Sequence, residues 1–135
     1  LDLYSGTGSF GIECVSRGAK KVTFVEEDKN ALEALKKNLS EIKINNETIL
    51  INDSVENYLL RNKKEKYNIF FFDPPFSDKK FVENLRSLRV FKNFLKNHVV
   101  IIHRERTAQD DFKKEINILK IKIYGRSKIF FGVFY

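Results

Sequence analysis

YNIFFFDPPF, residues 67–76, decides how this chain is read. Four apolar residues in a row, Ile69 to Phe72, fit a strand buried on both faces, the pattern of a parallel sheet covered by helices. Pro74 and Pro75 have no N–H to offer a sheet ladder, so the strand must stop near Asp73. An acid there stands at the carboxyl end of a buried strand, the edge at which open α/β sheets bind their ligands. Taken alone, D-P-P is equally a strand end followed by a rigid turn, so its meaning depends on what surrounds it.

Working outward, the chain alternates strand and helix. LDLY (1–4) reads as a strand end, SGTGS (5–9) as a glycine turn, FGIECVSRG (10–18) as a helix closed by Gly18, and KVTFVE (21–26) as a strand. DKNALEALKKNLSEIKI (28–44) is the clearest helix, with Asp28 placed to cap it and Ala31, Leu32, Leu35 and Leu39 at helical spacing. ETILIN (47–52) is a short strand and SVENYLLRN (54–62) a short helix. Beyond the opening stretch, KKFVENLRSLRVFKNFLKN (79–97) predicts one long or two short helices with Phe81, Leu85, Leu88, Phe91 and Leu95 on one face. HVVIIHRE (98–105) is a buried strand, and EINILKIKIYGRSKIFFGVFY (115–135) is a pair of strands turning at Gly125-Arg126-Ser127. The expected class is α/β: a Rossmann-like, doubly wound, mostly parallel sheet ending in an antiparallel hairpin, one domain over residues 1–135.

Composition narrows the partners. Lys and Arg number 25 against 18 Asp and Glu, a formal charge of +7, which favours a polyanionic partner such as nucleic acid. The single Cys14 allows no internal disulfide and fits a reducing cytoplasm. His98 and His103 make no metal-ligand cluster with it, and neither is given a catalytic role. No apolar run reaches the roughly 18 to 20 residues of a membrane span. With no Met in the chain, residue 1 is not a translation start, and an N-terminal segment is expected to be missing.

The chemistry gathers at strand ends. Gly6, Gly8 and Gly11 stand in G-x-G-x-x-G spacing between a strand and a helix, where glycine permits a tight turn and a close ligand. Glu26 ends the next strand, where a carboxylate can accept both ribose hydroxyls of an adenosine. Asp53 and Ser54 end the third, in position to read an adenine amino group, and Asp73 ends the fourth. A dinucleotide enzyme has no use for D-P-P-F at that edge, whereas an amino-group methyltransferase does. A base's exocyclic amine is a poor nucleophile because its lone pair is delocalised into the ring. The Asp73 carboxylate and the Pro74 carbonyl would accept its hydrogens and favour the pyramidal, attacking form, with Pro75 stiffening the loop. Phe76 offers a ring on which an extruded base could stack. Among the basic runs RNKKEK (61–66), SDKK (77–80) and HRER (103–106), the last two follow strand ends and are the better candidates for RNA phosphates.

LDLYSGTGSFGIECVSRGAKKVTFVEED (1–28), followed by FFFDPPF (70–76), resembles the bacterial RsmD-type 16S rRNA (guanine-N2)-methyltransferases. The glycine loop, the SRGAKKV helix exit, the FVE strand end and the DPPF tetrad match in order and spacing, and YGRSKIFFGVFY (124–135) resembles that family's closing hairpin. The resemblance implies S-adenosylmethionine as cofactor, with Asp2, Ser5, Gly6 and Gly8 at its methionine end, Glu26 on the ribose, and Asp53 and Ser54 near the adenine. It implies Asp73, Pro74, Pro75 and Phe76 around the target amine, and 16S rRNA or the small ribosomal subunit as partner; the chain is expected to act as a monomer in the cytoplasm. It also implies an N-terminal segment that closes over the cofactor and helps engage RNA. Two other readings stay open: an amino-methyltransferase acting on adenine N6 of DNA or RNA or on a protein amide, and an RNA-binding relative without catalysis.

Overall fold

The computed structural model describes residues 1–42 and 47–135. Its elements are β1 (Asp2–Leu3), α1 (Ser9–Ser16), β2 (Lys21–Val25), α2 (Lys29–Ser40), β3 (Glu47–Ile51), α3 (Val55–Arg61), β4 (Tyr67–Phe72), α4 (Phe81–Phe91), β5 (Phe94–Glu105), β6 (Ile116–Tyr124) and β7 (Ser127–Phe134). The strands form a seven-stranded mixed sheet, mostly parallel with an antiparallel end, the class the sequence predicts. The chain divides into two compact units, Leu1–Tyr58 and Leu59–Tyr135, and passes from one to the other within α3.

In the first unit β1 and β3 flank β2, all parallel, with Asp2 opposite Phe24 and Val25 opposite Ile51. Valine, threonine and phenylalanine suit the pleated centre, where Val22, Thr23, Phe24 and Val25 are all buried. Val15 of α1 and Leu32 and Leu35 of α2 close over Val22 and Phe24, with Ile12, Cys14, Leu39 and Leu50 packed around them. Helix α2 starts where the Asp28 side chain accepts the Ala31 N–H at 2.7 Å, satisfying one of the donors a helix start leaves open. Residues 43 and 44 of the helix predicted over 28–44 lie outside the described residues. Helix α1 ends at Ser16, and Gly18 follows in the left-handed region (φ 93°), returning its N–H to the Val15 carbonyl.

In the second unit β4 runs parallel to β5, β5 pairs antiparallel with β7, and β7 with β6. The hairpin turns through Gly125 (φ 55°) and Arg126. Its core is aromatic: Phe70, Phe72 and Phe81 are wholly buried with Leu85, Leu88, Val100 and Ile102.

Strand β4 and the stretch 79–97 depart from the sequence expectation. Strand β4 is not buried on both faces: Phe70 and Phe72 are wholly inside, whereas Ile69 is 38% exposed. The stretch 79–97 holds a single helix, because Lys92 turns left-handed (φ 54°) and ends it. Asn93 then donates its side-chain amide to the carbonyls of Asn62 (3.0 Å) and Glu65 (2.7 Å), and the chain leaves as β5. Leu95, predicted on the helix face, is therefore a strand residue. Tertiary packing overrides the helical pattern there, since Phe94 stacks on Phe134 (5.1 Å between centroids) and His98 packs against both rings.

Candidate active site

The first cluster surrounds the loop after β1. Tyr4 (φ 59°), Gly6 (φ 54°) and Gly8 (φ 82°) all take left-handed backbone, a conformation that is costly for a tyrosine and that clusters at functional sites. Carboxylates hold this loop in shape. Buried Asp2 accepts the Gly11 N–H on Oδ2 at 2.9 Å. Glu26, just past the end of β2, accepts the Gly6 N–H on Oε2 at 2.7 Å and the Asp28 N–H on Oε1 at 2.8 Å. A carboxylate oxygen has two lone pairs, so each oxygen of Glu26 retains acceptor capacity toward a ligand. Asn38 of α2 donates to the Thr7 carbonyl at 3.0 Å and pins the far side of the loop.

The loop's shape fits a ligand passing over it. A methyl group on Gly6 would meet nothing within 4 Å, so there is open space beside the backbone at that point. At Gly8 the same methyl would lie 2.2 Å from Leu35 Cδ1, and at Gly11 2.2 Å from Phe24 Cε1, so those two glycines serve the packing beneath the loop. The Ser5 hydroxyl is buried and has no hydrogen-bond partner among the described residues, an orphan that a ligand's polar group would satisfy. These features suit the methionine end and ribose of S-adenosylmethionine.

The ends of β2 and β3 are tied together by Asn52, whose amide donates to the carbonyls of Glu26 and Glu27, each at 3.0 Å. Asp53 Oδ1 accepts the Ser54 N–H and the Asn57 side-chain amide, both at 2.9 Å. Ser54 Oγ accepts the Asn57 N–H at 3.2 Å and so caps α3. Asp2, Ser5, Gly6, Gly8 and Glu26 thus belong to one bonded loop, and Asp53 and Ser54 shape the turn from β3 into α3.

The second cluster surrounds the loop after β4. Asp73 Oδ1 lies 2.7 Å from His103 Nδ1, and its side chain is 45% exposed. The other nitrogen of that ring, Nε2, lies 2.8 Å from Ser127 Oγ. The Phe76 ring makes a T-shaped contact with His103 (5.7 Å, 80°), has the Arg104 guanidinium over it at 6.0 Å, and is 47% exposed. Beneath the loop lies Arg104, only 1% exposed. Its guanidinium donates to the carbonyls of Pro74 (3.3 Å), Pro75 (3.1 Å), Phe76 (2.9 Å) and Asp78 (3.4 Å). It also forms a two-point pair with Asp110 (2.7 and 3.2 Å), and its charge sits 4.5 Å from the centre of the Phe81 ring.

The expected phosphate contact at HRER is therefore corrected for Arg104, which is buried and spends its donors on the loop. The Pro74 carbonyl, expected to face the amine, already accepts one hydrogen bond from that arginine. Sequence reasoning overlooked His103, Arg104, Tyr4 and Asn52. A signal existed for Arg104: it stands in phase with buried Val100 and Ile102 on β5, where a cation must have buried partners.

The mixed sheet, with its glycine loop after the first strand, is that of the class I methyltransferases. The chain belongs to the family described as Conserved hypothetical protein 95, whose model matches residues 1–133; this is the RsmD family. It is 36% identical to ribosomal RNA small subunit methyltransferase D of Haemophilus influenzae, over 93% of this chain and 66% of that protein. The protein of the same name from Buchnera aphidicola (subsp. Acyrthosiphon pisum) is 31% identical over 91% of this chain and 64% of its own length. Among solved structures, HI0767 of Haemophilus influenzae, classed with the methylases, superposes with a TM-score of 0.80 at 32% identity. That superposition covers 98% of this chain and 83% of the other. The chain spans about two thirds of the length of these curated relatives.

Proposed function

We propose that this protein transfers a methyl group from S-adenosylmethionine to the N2 amine of a guanine in 16S rRNA. The observation that carries the reading is Asp73: a half-exposed carboxylate at the end of β4, held through one oxygen, with the half-exposed Phe76 ring in the same loop. The relatives' names, which specify small-subunit ribosomal RNA, and the +7 charge support an RNA substrate. The substrate is then 16S rRNA or the small subunit, met by a monomer in the cytoplasm. Among the described residues, no helix is long and apolar enough to cross a membrane.

In this reading Asp2, Ser5, Gly6 and Gly8 shape the methionine end of the cofactor site, Glu26 accepts the ribose hydroxyls, and Asp53 and Ser54 border the adenine. S-Adenosylmethionine, held by those residues, would supply the methyl group as an electrophile on a sulfonium, the sulfur keeping the electron pair of the carbon–sulfur bond when the amine lone pair takes the methyl. Asp73 and the Pro74 carbonyl hold the amine hydrogens, and Phe76 stacks on the base. The methylated nitrogen then loses a proton to water or to Asp73. The protein's contribution is chiefly the placement of two reactants, with fixed acceptors at the amine.

Calorimetric titration with S-adenosylhomocysteine, beside Glu26→Ala, tests the cofactor half. Removing Glu26 loses two acceptors on the loop and those on the ribose, so affinity should fall at least tenfold, about 1.4 kcal/mol. Methylation of small subunits and of naked rRNA, with the modified base identified, tests the other half. A product on adenine, or on DNA but not rRNA, overturns the guanine reading. Wild-type protein that binds no S-adenosylhomocysteine overturns the cofactor reading.

A further inference from the structure

The hydrogen bonds around Asp73 imply more than an acid at a strand end. A carboxylate only accepts, so in the 2.7 Å contact it is His103 Nδ1 that carries the hydrogen. In the neutral ring Nε2 is then the acceptor, taking the hydroxyl hydrogen of Ser127 at 2.8 Å. Ser127 is itself fixed as the first residue of β7, directly after the Gly125-Arg126 turn and opposite Glu105 of β5. Three successive chain segments, the β4 end, β5 and the hairpin, are thus joined through one imidazole.

A half-exposed aspartate without such a partner would rotate freely about its last torsion and present either oxygen to water. Here Oδ1 is occupied, and among the described residues Oδ2 has no protein donor. The same imidazole supports the Phe76 ring edge-on. We propose that His103 is a positioning residue: as the Nδ1–H tautomer it locks the Asp73 carboxylate so that Oδ2 meets the substrate amine, while it props the ring on which the base stacks. This rests on the methyl-transfer reading above. It gives the histidine a role through orientation, lowering the reorganisation needed as the amine becomes a nucleophile.

The test joins a direct observation to a kinetic one, both on the full chain. Nitrogen-15 NMR of labelled histidine should find the His103 hydrogen on Nδ1, with that signal shifted in Asp73→Asn. In methylation of small subunits, His103→Ala should lower kcat about 10- to 100-fold, the order a misplaced reacting group costs, and leave KM for the subunit unchanged. His103→Asn, whose amide nitrogen can occupy the Nδ1 donor position, should recover most of the loss. A hydrogen found on Nε2 with Nδ1 bare overturns the proposal, and so does His103→Ala with wild-type kcat. His103→Asn as slow as His103→Ala overturns it also, because the imidazole would then matter for something other than its Nδ1 donor. Wild-type protein that makes no methylated product would sink the methyl-transfer reading instead. The NMR result would still uphold or overturn the Asp73–His103 arrangement.

Discussion

The loops after β1 and after β4 are both held rigid, by opposite means. In the first, acids at strand ends accept backbone N–H groups: Asp2 takes Gly11, and Glu26 takes Gly6 and Asp28. In the second, a base on a neighbouring strand supplies donors to backbone carbonyls, with Arg104 reaching four of them in turn. Chain geometry dictates the difference. A glycine loop that opens a helix turns its N–H groups inward and needs acceptors. A diproline loop has lost two N–H groups, so it offers a row of carbonyls and needs donors.

Removing Arg104 should do the second loop the most damage. Arg104→Ala would remove a donor from four carbonyls, of which that of Pro75 keeps the Asp78 N–H, and leave Asp110 as a nearly buried, unpaired acid. Loss of one partner of a buried pair costs on the order of 3–5 kcal/mol. Chemical denaturation should show that loss, and Arg104→Lys should repair little of it, because an ammonium cannot reproduce the planar fork. A loss under about 1 kcal/mol, the range of a surface pair, would mean the loop keeps its shape without the guanidinium.

The two loops also differed in legibility. The first was readable because its parts are near in sequence or fall at consecutive strand ends: Gly6, Gly8, Gly11 and Glu26 obey a spacing that backbone geometry imposes. The acid and prolines of the second were equally plain, and they set the end of β4. What stayed hidden were the partners, His103 and Arg104, which stand 30 residues beyond Asp73 and Pro74 and reach them only through strand pairing. Register is a tertiary quantity, and a cationic HRER read alone looks like a solvated loop. The same cause misplaced 94–97, whose apolar spacing suits a helix until Phe134 and His98 offer a stack to Phe94. The fold class survived these misreadings because it depends on the alternation of elements, which local pattern does specify.

Glycine substitutions in the first loop should cost less. Gly8→Ala and Gly11→Ala would drive a methyl into Leu35 and Phe24, and each should cost about 1–3 kcal/mol of stability by overpacking. Gly6→Ala meets only the left-handed backbone penalty, roughly 1–2 kcal/mol, but its methyl projects into the open space proposed for the cofactor. Denaturation midpoints of Gly8→Ala and Gly11→Ala should therefore lie at or below that of Gly6→Ala, whereas S-adenosylhomocysteine affinity should fall furthest at Gly6. The reverse ranking in affinity would move the ligand off this face of the loop.

The smallest effect separates packing from chemistry in the same unit. Cys14 lies on α1 against the core of Val15 and Leu35, and burial pushes its thiol above the ordinary value, with the carboxylates of Asp2 and Glu13 acting in the same direction. The raised value means that the folded state holds this proton more tightly than the unfolded chain does. The contribution is thus intact below the ordinary thiol range, about pH 8.5, and is lost as pH climbs from there through the raised folded value. Unfolding curves between neutral and alkaline pH should carry this shallow decline, and Cys14→Ser should flatten it at some cost in packing. At mildly alkaline pH, the thiol should also be alkylated more slowly than a free cysteine, because the thiolate is the reactive form. Rapid alkylation there would mark Cys14 as an accessible thiolate beside the glycine loop, and the first loop would then hold a nucleophile where its packing shows a partly buried side chain against the core.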